Sequence, residues 1–401
     1  MSAPAAQRTE LLDALRGFAL FGVAWSNYAV FAYWIFLSEE AMASLPGAWL
    51  DEPLEVFHNV FIDGKFYSIF SLLFGIGFGF FLEKGNDGVA RFIRRLLILL
   101  GIGWLHIRYL WAGDILFLYA ALGLLLPLFR KVSERALLIT AAALLLVPIG
   151  IDAAQVLTHG GFDPARAMHA LVHARDAELG SNVFEDMVKA PGGGLAEFNA
   201  AASRSWLFRF EDLVQSSRLP KVLGLFLLGL WVARRKLFAD PSGHRALLKR
   251  SCIVGVAVGL PFSILRWWSE THLEHLPDAH GLLATIGYAL GVVPLAIAYA
   301  SGFALLWTSD HSRRWLQLLA PMGRMALTNY LMQTVLGIVL FAGVGLGWGM
   351  RVSAVGFESI ALGVYILEVC WSLWWLKRFR FGPMEWAWRS LTYGKVMPMR
   401  K

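Results

Sequence analysis

The sequence predicts an all-α fold: a polytopic membrane bundle of about ten transmembrane helices with both termini cytoplasmic. Three observations carry this reading. Of 401 residues, 57% are hydrophobic and only 16% charged, where a soluble domain carries roughly 25% charged residues. The apolar runs are continuous over roughly 20 residues, enough to cross about 30 Å of hydrocarbon, rather than alternating as barrel strands do. Lys and Arg fall between the runs on every second connection, the pattern that sets membrane orientation. Mean hydropathy of +0.56 and 17 tryptophans fit the same solvent, because indole favours the membrane–water interface.

Ten spans are expected, at about 15–37, 57–82, 92–110, 113–129, 135–157, 220–236, 250–268, 281–307, 325–347 and 354–376. The fourth and sixth are the short ones. Segments expected inside carry Arg8 and Arg16, then Lys84, Arg91, Arg94 and Arg95, then Arg130, Lys131 and Arg135. The cluster Arg234, Arg235 and Lys236, then Arg313, Arg314 and Arg324, and the basic tail continue the series. The first outside connection holds Glu39, Glu40, Asp51, Glu52 and Glu55 and no Lys or Arg. The polar stretch before the first span lacks the charged, apolar and small-residue regions of a signal peptide, so that span is expected to stay in place.

The net charge of +7 is therefore a topology signal. No Gly-rich phosphate loop, zinc spacing or basic–aromatic platform accompanies it, so no nucleic-acid partner is expected. Cys252 and Cys370 both lie inside apolar runs, which argues against a disulfide framework. The whole chain, 1–401, reads as a single transmembrane domain. Within it 159–219 forms a large extracytoplasmic loop, polar stretches of helical spacing around a break at Pro191-Gly192-Gly193-Gly194, which either caps an external site in part, the favoured reading, or packs on the outer surface. Residues 381–395 read as a cytoplasmic interfacial helix, with Glu385 and Arg389 at i,i+4 and Trp386 and Trp388 as headgroup anchors.

Polar residues inside the slab are the functional candidates. Asp13 and Arg16 open the first span as i,i+3 neighbours, and Asn27 lies roughly 16 Å further along the axis, near mid-bilayer. Asn27 either bonds a neighbouring helix or walls a substrate path. Asp63 and Lys65 stand at the outer end of the second span, and Lys65 either snorkels to the headgroups or contacts substrate. His106 ends the third span and Asp114 opens the fourth. A carboxylate beside an imidazole orients the ring and stabilises its charged form, which makes a general base, but an N-cap Asp beside an interfacial His gives the same spacing. In the ninth span Asn329 and Gln333 share a face. Arg324 at its edge, with Arg16, either receives phosphates from the cytosol or simply marks the inside. The histidines of 270–280 match no metal motif, and no metal is expected.

Taken together, these positions resemble a family. Asp13 with Arg16-Gly17 and Asn27, Gly64-Lys65-Phe66 before Leu73-Phe74-Gly75, and His106 followed by Gly113-Asp114-Ile115-Leu116 resemble the YeiB-like bacterial inner-membrane proteins. So do Gly323-Arg324-Met325-Ala326-Leu327-Thr328-Asn329-Tyr330 and Gly382-Pro383 with Glu385-Trp386 and Trp388-Arg389, and the match spans about residues 8 to 395. The first-span motif is similar to that of heparan-α-glucosaminide N-acetyltransferase, so the resemblance implies a transmembrane acyltransferase superfamily, often dimeric. Such proteins move an acyl group, here acetyl, from cytosolic acyl-CoA to a hydroxyl or amine beyond the membrane, on a glycan or a lipid-linked acceptor. At the interval of that enzyme's catalytic His this chain has Ser38, which leaves His106, or His58, to act as base.

The expected roles follow. His106 and Asp114 would be catalytic; Arg16, Asn27, Arg324 and Asn329 would hold acetyl-CoA; Asp63 and Lys65 would meet the acceptor. The alternative is a transporter or exporter of a small amphipathic or anionic solute, in which the same residues bind and release. A structural or lipid-binding membrane subunit is a third option.

Overall fold

The computed structural model describes residues 3–180, 182–273 and 275–401. The chain is helical from end to end, and among the described residues the only strand-like pairing is one bridge between Phe379 and Arg400. Twelve helices matter here: α1 (Ala3–Phe31), α2 (Lys65–Leu82), α3 (Gly85–Tyr109), α4 (Leu116–Gly123), α5 (Glu134–Leu157), α6 (Leu195–Gln215), α7 (Arg218–Arg234), α8 (Arg245–His272), α9 (Gly281–Trp307), α10 (Ala326–Phe341), α11 (Ala354–Arg378) and α12 (Pro383–Tyr393).

Six segments are long and apolar enough to cross a membrane among the described residues: Glu10–Phe36, Ala48–Leu82, Glu134–Leu157, Arg245–His272, Gly281–Trp307 and Ala354–Arg378. Two bent pairs bring the total to as many as eight: α6 with α7, at 67°, and Asp310–Arg324 with α10, at 77°. Ten spans were expected, and two of them differ for physical reasons. α4 has eight residues, roughly 12 Å at helical rise, because Pro127 cannot continue the hydrogen-bond ladder and the chain tightens into a 3-10 turn. α3 is long enough, but Arg91, Arg94 and Arg95 crowd one end and Arg108 the other.

The bundle is held by apolar contact between close-set helices. α2 crosses α7 backbone to backbone: a Cβ built on Gly75 would lie 2.0 Å from the carbonyl oxygen of Phe226, and one on Gly229 would lie 2.1 Å from that of Leu72. The small-residue spacing of α2 thus does the work it does in other membrane helices, letting two backbones meet. α1 is pressed as tightly on the helix Ala320–Arg324, where a Cβ on Gly323 would fall 1.8 Å from the carbonyl oxygen of Asp13. One buried cluster joins α1, α2 and α9 through Leu15, Phe66, Ile69 and Phe303; a second joins α2, α3, α4 and α7 through Phe78, Leu96, Leu118 and Phe226.

The segment 159–219 is mostly helical on both sides of the Pro191-Gly192-Gly193-Gly194 break. Arg166–Leu179, Val183–Lys189 and α6 fold back along the bundle, and the turn after Lys189 meets the far end of α10, where Gly343 donates its N–H to the carbonyl of Ala190 at 2.9 Å. Arg204 of α6 is buried in ion pairs with Asp176 and Asp186. The tail helix α12 packs on protein. Trp388 donates to the carbonyl of Arg95 at 2.8 Å beneath that residue's guanidinium, and Trp386 donates to the carbonyl of Met397 at 2.7 Å. Glu385 reaches α10 rather than Arg389, since both of its oxygens go to the first turn of that helix.

Candidate functional site

A cavity of about 760 Å³ lies at the end of the bundle where α2, α7 and α9 begin and α8 ends. Each wall has a local cause. Gly64, in the left-handed region at φ 78, turns the chain into α2 and leaves Asp63 and Tyr67 facing inward. α1 supplies Gly22, Ser26 and Asn27 as the inner floor. The break between α6 and α7 brings Ser216, Ser217, Arg218 and Lys221 to one side, and α8 and α9 bring Arg266 and Tyr288 to the other.

Four cations, Arg209, Arg218, Lys221 and Arg266, face three carboxylates, Asp63, Asp152 and Glu270, around this space. Arg266 takes both Asp63 at 2.8 Å and Glu270 at 2.9 Å. Asp152 accepts from Thr285 at 2.5 Å. Arg209 pairs with Asp212 at 2.7 Å and donates to the carbonyl of Asp114 at 2.8 Å. The remaining two cations lie against rings. The Lys221 ammonium sits 3.8 Å from the centroid of Tyr288, and the Arg218 guanidinium 5.3 Å from that of Tyr67; the two phenols are hydrogen-bonded to each other. Among the described residues neither Arg218 nor Lys221 has a carboxylate ion-pair partner. Cations held over aromatic faces and short of anions suit a negatively charged ligand.

Of the eight residues assigned roles from sequence, the structure brings Asn27 and Asp63 to this cavity. The other six lie elsewhere. His106 and Asp114 form a pair at 2.8 Å, but both are buried, 2% and 1% exposed. The second ring nitrogen of His106 is 3.0 Å from the hydroxyl of Thr334, and the second oxygen of Asp114 accepts the N–H of Phe117 at 2.7 Å as a helix cap. The pair stands just behind the wall: Gly113, Ile115 and Tyr330 line the cavity, and the Tyr330 hydroxyl accepts the N–H of Ile115 at 3.2 Å. Lys65 is wholly buried and donates to the carbonyl of Asn59 at 2.7 Å. Asn329 is also buried and bonds Ser372 and the carbonyl of Met322, at 2.9 and 3.2 Å. Arg16 pairs with Asp13 at 2.6 Å, and Arg324 is exposed. His58 faces Glu358 at 3.9 Å. Among the described residues no group of three His, Cys, Asp or Glu converges as a metal site; Glu274 of the histidine-bearing loop lies outside them.

Arg209, Arg218, Lys221, Arg266 and the tyrosines were missed from sequence. A signal was present. Arg209 and Arg218 sit on the connection that the Lys and Arg asymmetry assigns to the outside, and Lys221 and Arg266 at the outer ends of the expected spans 220–236 and 250–268, where an orientation signal has no use for them. Burial pushes the carboxyl of Glu385, on the tail helix, above its ordinary range, while the donors of Thr328 and Leu327 draw it the other way.

The fold and this polar chamber define a multi-helix membrane protein with a charged internal cavity. The chain belongs to the YeiB-like family. It is 31% identical to the uncharacterized protein YxaH of Bacillus subtilis (strain 168) over 98% of this chain and 96% of that one. It is 28% identical to the uncharacterized protein YeiB of Escherichia coli (strain K12) over 98% of each. Residues 232–395 match the profile of a protein family of unknown function, DUF418. No solved structure matches the chain.

Proposed function

We propose that this protein resides in the bacterial inner membrane with both termini cytoplasmic. Its cavity opens to the outside and holds an anionic, amphipathic solute by its charged group while that solute is exported or passed on. The observation that carries this is the pairing of Arg218 and Lys221 with aromatic faces in a cavity, short of carboxylate partners. The segment 159–219 would then form one side of the binding chamber, since Arg209 comes from its helix α6. The test is the melting temperature of the purified protein in nonionic detergent with anionic, neutral and cationic amphiphiles of equal chain length. Stabilisation by the anionic members alone is expected; equal response to all three overturns the reading.

Acyl transfer is the second reading, favoured by Asn27 on the cavity floor and by the oriented His106–Asp114 pair behind the wall. It asks more of the structure. A base must reach its proton within about 3 Å, and both nitrogens of His106 are engaged. The residues expected to hold acyl-CoA fit it poorly. Between Arg16 and Arg324 the backbones of α1 and Ala320–Arg324 are in contact, which leaves no room for a pantetheine arm along that seam. Calorimetric titration with acetyl-CoA separates the readings: saturable binding lost in Arg324→Ala supports transfer, and no heat supports the solute-handling reading.

A further inference from the structure

α6 ends at Gln215 and α7 begins at Arg218, and their axes are bent by 67°. The two residues between them, Ser216 and Ser217, line the cavity. Ser217 stands at the N-cap position of α7 with φ 49, in the left-handed region that non-glycine residues rarely adopt. A serine there ordinarily accepts an N–H from the first turn. This one does not: its hydroxyl makes no cap, and among the described residues neither serine hydroxyl has a hydrogen-bond partner, although Ser217 is only 4% exposed; the Ser216 carbonyl accepts the Lys221 ammonium at 2.9 Å. A buried polar atom without a partner is a rare and costly feature that calls for an explanation.

The charges at the same place are also the reverse of the usual pattern. A helix N-terminus carries roughly half a positive charge and favours acidic neighbours. The first turn of α7 has no acidic residue, and holds Arg218 and Lys221 instead. Proline at position 220 supplies no N–H, so the free backbone donors are those of its neighbours. Arg266, which lies over the same Tyr288 ring as Lys221, is already held by Asp63 and Glu270, so Arg218 and Lys221 are the cations beside it that keep no carboxylate ion pair among the described residues.

We propose that the α6–α7 break is a phosphoryl-binding subsite, in which Ser216, Ser217, Arg218, Lys221 and the first N–H groups of α7 surround the phosphate group of the solute. It deepens the solute-handling reading above and rests on it. The donor set favours phosphate over carboxylate. Two hydroxyls, a guanidinium, an ammonium and backbone N–H groups exceed what two carboxylate oxygens accept, and they suit the oxygens and greater charge of a phosphate. The rest of the cavity, with Tyr67, Tyr288 and Tyr330 in its walls, is left for the remainder of the molecule.

The test is ligand-dependent thermal stability of the full chain in nonionic detergent at constant ionic strength, with four probes: inorganic phosphate, glycerol 3-phosphate, dihexanoyl phosphatidic acid and decanoate. A phosphate-bearing probe is expected to bind at least tenfold more tightly than decanoate. Preference for dihexanoyl phosphatidic acid over glycerol 3-phosphate identifies a lipid headgroup; equal affinity identifies a soluble phosphate ester. Lys221→Gln is expected to weaken that probe about tenfold. Ser217→Gly accepts the left-handed backbone without strain, so it should melt no lower than the parent while binding the probe several-fold more weakly. Binding of decanoate alone overturns the subsite and keeps the solute-handling reading; no response to any probe overturns both. Phosphate binding that is unchanged in a well-folded Lys221→Gln and in Ser217→Gly also overturns the subsite.

Discussion

Glu385 closes the N-terminus of a helix to which it does not belong: its carboxylate accepts the N–H of Leu327 at 2.7 Å, the N–H of Thr328 at 3.0 Å and the hydroxyl of Thr328 at 2.6 Å. α12 thereby supplies from the tail the cap that Met325, at the N-cap position of α10, cannot. The tail is part of the bundle's architecture.

Removing that cap has a measurable cost. Glu385→Ala leaves two backbone donors and a hydroxyl buried without an acceptor, and is expected to destabilise the fold by about 1–3 kcal/mol. Glu385→Gln keeps one acceptor oxygen and should cost less. Thermal unfolding in detergent, followed by circular dichroism, measures both; equal melting temperatures for all three proteins would remove the cap from the account.

The same carboxyl predicts a pH effect. Burial raises its proton affinity in the folded chain. Between the ordinary carboxyl range and that raised value, the folded state keeps a proton that the unfolded state has lost. The contribution of this group to stability therefore declines as pH rises through that window. Glu385→Gln does not titrate, so its melting temperature should fall less between pH 4.5 and 7 than that of the parent. A parallel decline in both proteins would assign the effect to other groups.

His106 is expected to act first as a strut. His106→Ala leaves one oxygen of the buried Asp114 and the hydroxyl of Thr334 without their partner, at a cost of about 1–3 kcal/mol. If the strut role is its whole role, any lost function should track the lost folded fraction. A His106→Asn protein that melts near the parental temperature yet lacks all function would instead assign the imidazole a chemical task.

Two glycines two residues apart should behave oppositely. Gly75→Val drives a side chain into the backbone of α7, so folded protein should not be recovered. A Cβ at Gly77 meets nothing within 4 Å, and Gly77→Ala should be neutral or stabilising by up to about 1 kcal/mol. Monodispersity on size exclusion reports both. Loss of the Gly77→Ala protein would show a contact for that face that the packing of this chain does not provide.

Arg266 holds Asp63 and Glu270 together across the cavity mouth. Arg266→Ala should destabilise the fold by up to about 1 kcal/mol, because the Asp63 side chain left without its partner is 37% exposed to the cavity. Asp63→Asn in the Arg266→Ala background should recover part of that loss. A double-mutant cycle reads the coupling, and strict additivity would mean that the two residues act independently.

How far the sequence reached depends on the kind of information. Continuous apolar runs identify helices in lipid because the solvent imposes one composition and one length, so the helical membrane class and the positions of α5, α8, α9 and α11 were legible. At α4 the apolar run continues but the regular helix stops short of Pro127, which one-dimensional hydrophobicity does not register. The His106–Asp114 contact was readable because the two residues flank one corner. The role of that contact was not, because Thr334 and the cap on Phe117 come from elsewhere in the fold. Glu385 showed a helical neighbour at Arg389; its actual partner lies some sixty positions away.

The amino-acid sequence alone determined the solvent of this protein, its helices and its family, because hydrophobicity, period and local motifs are one-dimensional properties. The cavity was decided only by tertiary structure. Asn27, Asp63, the Arg218–Lys221 pair and Arg266 come from four separate segments, and no spacing announces that they converge. Their shared surroundings arise from the close crossing of α2 on α7 and the bend after α6. Which cations keep a carboxylate and which face open space is settled by those distances, and the chemistry proposed for this protein follows from them.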